Sequence, residues 1–298
     1  DVERSRGLGD VYKRQGKFLL SNPNYKNSDK SVYTNIQSSE TDRLKDFGYK
    51  TNKTGFTLGT QFEYYDDFYF GVGINSYYES IETDSTASAQ QKKLKGNYFD
   101  NFINLNFDYD KRNQKFQPSQ GFRNYFSTDL PIVSETNTLA NTFITTNYFE
   151  YFDSNILKSS FYFRNSNSIT GDNIKLSERL YLPSNRLRGF ESGKVGPKDG
   201  NDFIGGNYIA SLNFSSNVPK ILENSQTTDI IIFFDVANVW GVDYDSALDT
   251  SDDIKSAIGL GLDWFSPIGP MNFTLSQHLS KGSNDVTESF RFNLGTTF

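Results

Sequence analysis

Few side chains in this 298-residue sequence are placed to do covalent chemistry. There is no cysteine, which excludes thiolate nucleophiles, disulfides and thiolate metal sites. The one histidine, His278, has no visible nucleophile partner, so it reads as a lumen-face residue and not as a catalytic base; no catalytic residue, metal or cofactor is assigned. No glycine motif that cradles phosphate occurs. Asp243, Asp245, Asp249, Asp252 and Asp253 cluster in one stretch, but without the glycine and glutamate spacing of an EF-hand, and they read as a solvated loop. Ion pairing is what remains. Arg188 carries a planar guanidinium suited to a carboxylate, its neighbour Gly189 permits close backbone approach, and Phe190 can pack against a wall. Asp235 breaks the apolar run that begins at Ile230, on the face opposite Ile232, Phe234 and Val236, so it points inward and needs a counter-charge.

The elements that hold these residues are strands. Only 36% of the chain is hydrophobic, mean hydropathy is −0.60, and the longest aliphatic-aromatic run is Ile230 to Phe234. A spanning helix needs about 20 apolar residues in sequence, so a helical membrane protein is excluded. Instead 27 Phe, 18 Tyr and 23 Gly are spread through Asn, Ser, Asp and Lys. Net charge is −6 with pI near 5.0 and the bases are scattered among acids, which gives no footprint for nucleic acid.

Period-2 alternation is clearest from Ala257 to Phe265, where Ile258, Leu260, Leu262 and Trp264 oppose Ala257, Gly259, Gly261 and Asp263. It recurs at the C-terminus, with Phe290, Phe292, Leu294 and Phe298 opposing Arg291, Asn293, Gly295 and Thr297. Trp264, near its strand end on the apolar face, is placed in an interfacial girdle. Segments near ten residues match lipid-facing barrel strands, which need about 9 to 11, and exceed what a soluble sandwich uses. Connections also alternate: 65–67 and 153–155 are tight, 81–98 and 241–253 are long. Barrels of the outer membrane put short turns on one side and long loops on the other.

The alternation predicts strands at 16–23, 31–40, 55–65, 68–80, 99–111, 121–131, 142–152, 156–167, 206–217, 228–240, 254–265, 270–280 and 288–298. Thirteen is odd, and single-chain bacterial barrels are even, so an incomplete all-β transmembrane antiparallel barrel is expected over 16–298. Residues 1–15, DVERSRGLGDVYKRQ, share neither the aromatics nor the alternation and read as an adapter-like, non-native tail. They contain no apolar signal region, so a secretory signal is expected upstream or not at all. The connection 169–205 is far longer than the others, which marks it as functional.

The stretch LPSNRLRGFESGKVGPKDGNDFIGGN, followed by IASLNF, FFDVANVW, GLGLDWFSPIGPMNF and FRFNLGTTF, resembles the BamA family of outer-membrane assembly factors, in the POTRA-barrel surface-antigen superfamily. The resemblance is strong from about Leu180 to Phe298 and weaker, but in register, from Gly16. It implies that loop 169–205 folds into the lumen, with Arg188, Gly189, Phe190, Gly196, Pro197, Lys198, Gly205 and Gly206 as its motif residues, and that Phe298 belongs to a C-terminal outer-membrane signal. It implies a Glu on the preceding strand facing Arg188 as well; here Asn213 stands there. By analogy the chain carries family strands four to sixteen, with three strands and the POTRA domains upstream. The implied function is folding of client barrels into the outer membrane by strand-edge pairing. The implied partners are outer-membrane lipid and lipopolysaccharide, unfolded clients and periplasmic accessory lipoproteins. A passive pore or a secretion channel of the same superfamily is the alternative.

Overall fold

Alternation of Phe, Ile and Leu with Asn, Ser, Gly and Thr leaves a chain no helical stripe to bury, so it extends and pairs. The computed structural model describes residues 12–152, 155–218, 228–243, 248, 253–266 and 269–294. Its strands are β1 (Tyr12–Asn22), β2 (Lys30–Arg43), β3 (Tyr49–Tyr65), β4 (Phe68–Thr83), β5 (Gly96–Asp110), β6 (Gly121–Ser134), β7 (Thr138–Phe152) and β8 (Asn155–Ser168). Next come the two-residue strands β9 (Lys198–Asp199) and β10 (Asp202–Phe203), then β11 (Tyr208–Asn217), β12 (Thr228–Trp240), β13 (Lys255–Ser266), β14 (Gly269–Ser280) and β15 (Phe290–Leu294). Short helices α1 (Leu44–Phe47) and α2 (Ala89–Lys93) lie between β2 and β3 and between β4 and β5.

Thirteen strands form one sheet in chain order, from β1 through β8 directly to β11 and on to β15, every neighbour antiparallel. Among the described residues β1 and β15 do not pair, so the sheet is open. Pro131, which cannot donate to a ladder, sits where β5 and β6 slip register between Asn101 and Phe102. One face carries exposed Ile36, Leu58, Ile74, Ile232, Leu260 and Phe292, an apolar band that suits lipid. The other face carries the polar alternates and the segment 169–207, which packs on β11 to β13 and on the loop ends of β3 to β5.

The ladders run beyond the expected bounds at the loop end. The third strand begins at Tyr49 instead of 55, the fourth ends at Thr83 instead of 80, and the fifth begins at Gly96 instead of 99. Buried Tyr49 and Ile81 explain the extension, because they pack with Phe47, Leu176 and Phe203 and give those ends a core of their own. The connection expected at 81–98 therefore shrinks, and α2 in it is closed by a capping box between Ser88 and Gln91. The boundary expected at Gly16 also moves. Tyr12 to Gln15, assigned to the tail, pair with Asp42 to Ser39 of β2, because β2 extends far enough to offer them backbone partners. At the other end the strand expected at 288–298 is Phe290–Leu294, and Phe298 lies outside the described residues.

Candidate functional site

Arg188 and Asp235 meet where the segment 169–207 crosses β11 and β12. Asn213 and Asp235 are directly opposed in the β11–β12 ladder, so parity places both on the loop-covered face. Asp235, fully buried, accepts from Arg188 Nε and Nη2 at 2.7 Å each, from the Arg188 backbone N–H at 3.0 Å, and from Asn213 Nδ2 at 2.8 Å. Such a two-pronged contact is the strong form of an ion pair. The guanidinium also lies over the Phe233 ring, 3.6 Å from its centroid. Asn213 Nδ2 further donates to the Arg186 carbonyl at 2.9 Å, so where the resemblance implied a second acid this chain has a donor that serves the carboxylate and the loop together.

Gly189 and Phe190 seat the same turn. Gly189 has φ +90, and a Cβ there would press on Ala257 and Ser276 at 3.2 Å. Phe190, 1% exposed, joins Leu187, Val239, Ile209 and Ala257 in one apolar cluster and meets the His278 ring edge-on at 6.5 Å. His278 is thus on the loop-covered face, a packing residue. Arg291 of β15 completes the seat: its Nη2 donates to the Phe190 carbonyl at 2.6 Å, its Nη1 to the Ser184 carbonyl at 3.1 Å, and Glu288 pairs with it.

The remaining motif residues hold the loop's far half. Gly196 has φ +92 against Val239, and its N–H donates to buried Asp285 at 2.9 Å. The Pro197 carbonyl accepts from Ile204 N–H at 3.1 Å. Lys198 starts β9 and sets its ammonium 4.7 Å from the Phe203 ring. Gly205, at φ +66, and Gly206 lie against Leu180, to which Gly206 is bridged by reciprocal backbone bonds of 2.8 and 2.9 Å. Gly206 is thus part of the loop, and the ninth long strand opens at Tyr208 rather than at the expected 206.

Two anchors escaped the sequence reading. Buried Lys175 contacts Asp100, Glu79 at 3.3 Å and Glu178 at 3.2 Å. Burial alone would push its ammonium down, but the carboxylates of Glu178, Glu79 and Asp100 outweigh it and the ammonium titrates above its usual range. Glu178 is held above the usual carboxylate range by burial, although Lys175 and the Thr138 hydroxyl, donating at 2.7 Å, pull the other way. Parity carries a signal for this anchor: Glu79 and Asp100 are inward acids on the neighbouring strands β4 and β5. Arg179, buried, pairs with Asp243. Asp243 and Asp253 are exposed, as expected of a solvated loop, although Asp243 also reaches this buried guanidinium; Asp245, Asp249 and Asp252 lie outside the described residues. Trp264, Phe290 and Phe292 are all exposed on the apolar face.

A profile of the Omp85 superfamily domain matches residues 2–298. The chain is similar to the outer membrane protein assembly factor BamA of Neorickettsia risticii (strain Illinois), 23% identical over 256 residues, which is 84% of this chain and 34% of that protein. The solved BamA from Haemophilus ducreyi lacking POTRA domains 1-3 superposes with a TM-score of 0.85 at 19% identity, covering 94% of this chain and 61% of that one. CdiB from Escherichia coli superposes more loosely, with a TM-score of 0.59 at 13% identity over 94% of this chain and 52% of that one. The chain spans less than two thirds of each of these relatives.

Proposed function

We propose, for a chain that belongs to the Omp85 superfamily, that this barrel assembles other β-barrels into its membrane by lending them a strand edge. That membrane is the bacterial outer membrane. The carrying observation is the last ladder. Among the described residues β15 pairs with β14 from Met271 to Leu275, with a further backbone bond from Ser276 N–H to the Ser289 carbonyl at 2.9 Å. In lipid each unpaired backbone group costs several kcal/mol, so a strand edge opened at β15 gains by pairing with an incoming strand. The chemistry is backbone hydrogen bonding, and it needs no catalytic side chain. Arg291 ties that strand to the docked loop, so the state of the loop is felt at the edge. Unfolded barrel clients, lipopolysaccharide-bearing outer-membrane lipid and periplasmic accessory lipoproteins are the partners this reading calls for.

The test reconstitutes the full-length parent protein in vesicles with a denatured barrel client. Faster appearance of heat-modifiable, protease-resistant client than in empty vesicles supports assembly. Ion conductance or passage of a partner protein without faster client folding would replace this reading with a pore or secretion channel.

A further inference from the structure

On the loop-covered face, β6, β7 and the loop residue Arg186 bound a cavity of about 330 Å³, lined by Arg112, Arg123, Tyr125, Ile144, Thr146, Tyr148 and Arg186. Its cations are not equally satisfied. Arg112 is forked onto Asp110 at 2.6 and 2.7 Å, and Arg123 onto Asp108 at 2.6 and 2.8 Å. Among the described residues the Arg186 side chain reaches the Ser160 hydroxyl, at 3.0 Å, and the Tyr162 ring, at 4.7 Å. Lys158, two residues before Ser160 on the same face, is exposed and sits 5.8 Å from the Tyr148 ring, opposite it in the β7–β8 ladder. Neither Lys158 nor Arg186 has a carboxylate within ion-pair distance among the described residues. Asp235 is saturated by Arg188 and Asn213, and Asp263 is taken by Asn272 at 2.5 Å.

We propose that this cavity is a binding site for a doubly charged phosphate group, gripped by Arg186 in its wall and by Lys158 beside the lining residue Tyr148, with the Thr146 and Tyr148 hydroxyls at the wall. Two uncompensated cations match a phosphomonoester dianion in charge, and a guanidinium fork beside an ammonium offers the directed and undirected halves of phosphate recognition. Free phosphate and a phosphorylated lipid headgroup share this chemistry.

The probe is inorganic phosphate, titrated by calorimetry into the full-length parent protein in phosphate-free, non-ionic detergent, with dihexanoyl phosphatidic acid and dihexanoyl phosphatidylcholine as parallel ligands. Saturable binding of phosphate or phosphatidic acid, but not of phosphatidylcholine, is expected, and which of the two binds tighter identifies the source. Among the described residues the Lys158 side chain makes no hydrogen bond or ion pair, so Lys158→Met should stay heat-modifiable while affinity falls about tenfold or more. Asp263→Asn, which removes a facing negative charge, should strengthen binding. Absence of saturable binding to both phosphate ligands, or affinity unchanged in Lys158→Met, overturns the proposal.

Discussion

Arg188 and Asp235 are joined by three hydrogen bonds, two from the guanidinium and one from the backbone N–H of the same residue. The loop is therefore fixed in backbone position as well as in charge. Asn213 supplies a fourth donor, which leaves the buried carboxylate fully engaged with a single cation and no competing acid. A buried charge so completely partnered is costly to expose and costly to orphan.

Asn213→Ala should loosen the loop without releasing it. The substitution strips one donor from Asp235 and one from the Arg186 carbonyl, and leaving a buried acceptor short costs about 1 to 3 kcal/mol. Thermolysin cleavage within 180–206, measured in detergent under native conditions, should rise by that equivalent. Cleavage unchanged from the parent would mean the Asn213 bonds are incidental.

Two glycine substitutions separate backbone strain from steric exclusion. Gly200, at φ +62, has open space where a Cβ would sit, so Gly200→Ala should cost only the left-handed backbone, about 1 kcal/mol. Gly196 has both a positive φ and Val239 against it, so Gly196→Ala should undock the neighbouring turn and expose the Asp285 contact. Comparable protease sensitivity in the two variants would contradict this packing.

The Lys175 anchor predicts a pH dependence. Glu178 binds its proton more tightly when the loop is docked, so its contribution is fully present below the unfolded carboxylate range and fades as pH rises through its raised value. Lys175 stays charged across that window because its own titration is displaced upward. Docking should therefore tighten on mild acidification, and Glu178→Gln should flatten the profile. Lys175→Met, which leaves Glu79, Asp100 and Glu178 clustered without a cation, should undock this end, most severely at high pH. A Lys175→Met defect independent of pH would show that packing, not charge, holds the anchor.

The sheet was legible because a period of two is a property of neighbouring residues: it predicted thirteen strands, and it put Asp235 and Asn213 on one face before any contact was known. The ends of β3 to β5 were not legible, since Tyr49 and Ile81 are held by Leu176 and Phe203, residues distant in sequence with no period to announce them. The Arg188 contact followed from one inward acid, one long loop and the family resemblance that folds that loop into the lumen. The Lys175 and Arg291 contacts did not, because each gathers partners from separate strands and loop segments, and only the folded path brings them together.

The central claim is that Arg188 and Asp235 act as one latch. The direct measurement is a double-mutant cycle of Arg188→Ala and Asp235→Asn in the full-length parent, reading loop protection and client assembly together. Removing one partner of a desolvated pair typically costs about 3 to 5 kcal/mol, much of it from the charge left behind. Each single variant should lose loop protection and assembly to a similar degree, and the double variant should be little worse than either. Defects that simply add would show that Arg188 and Asp235 act independently and that something else holds the loop.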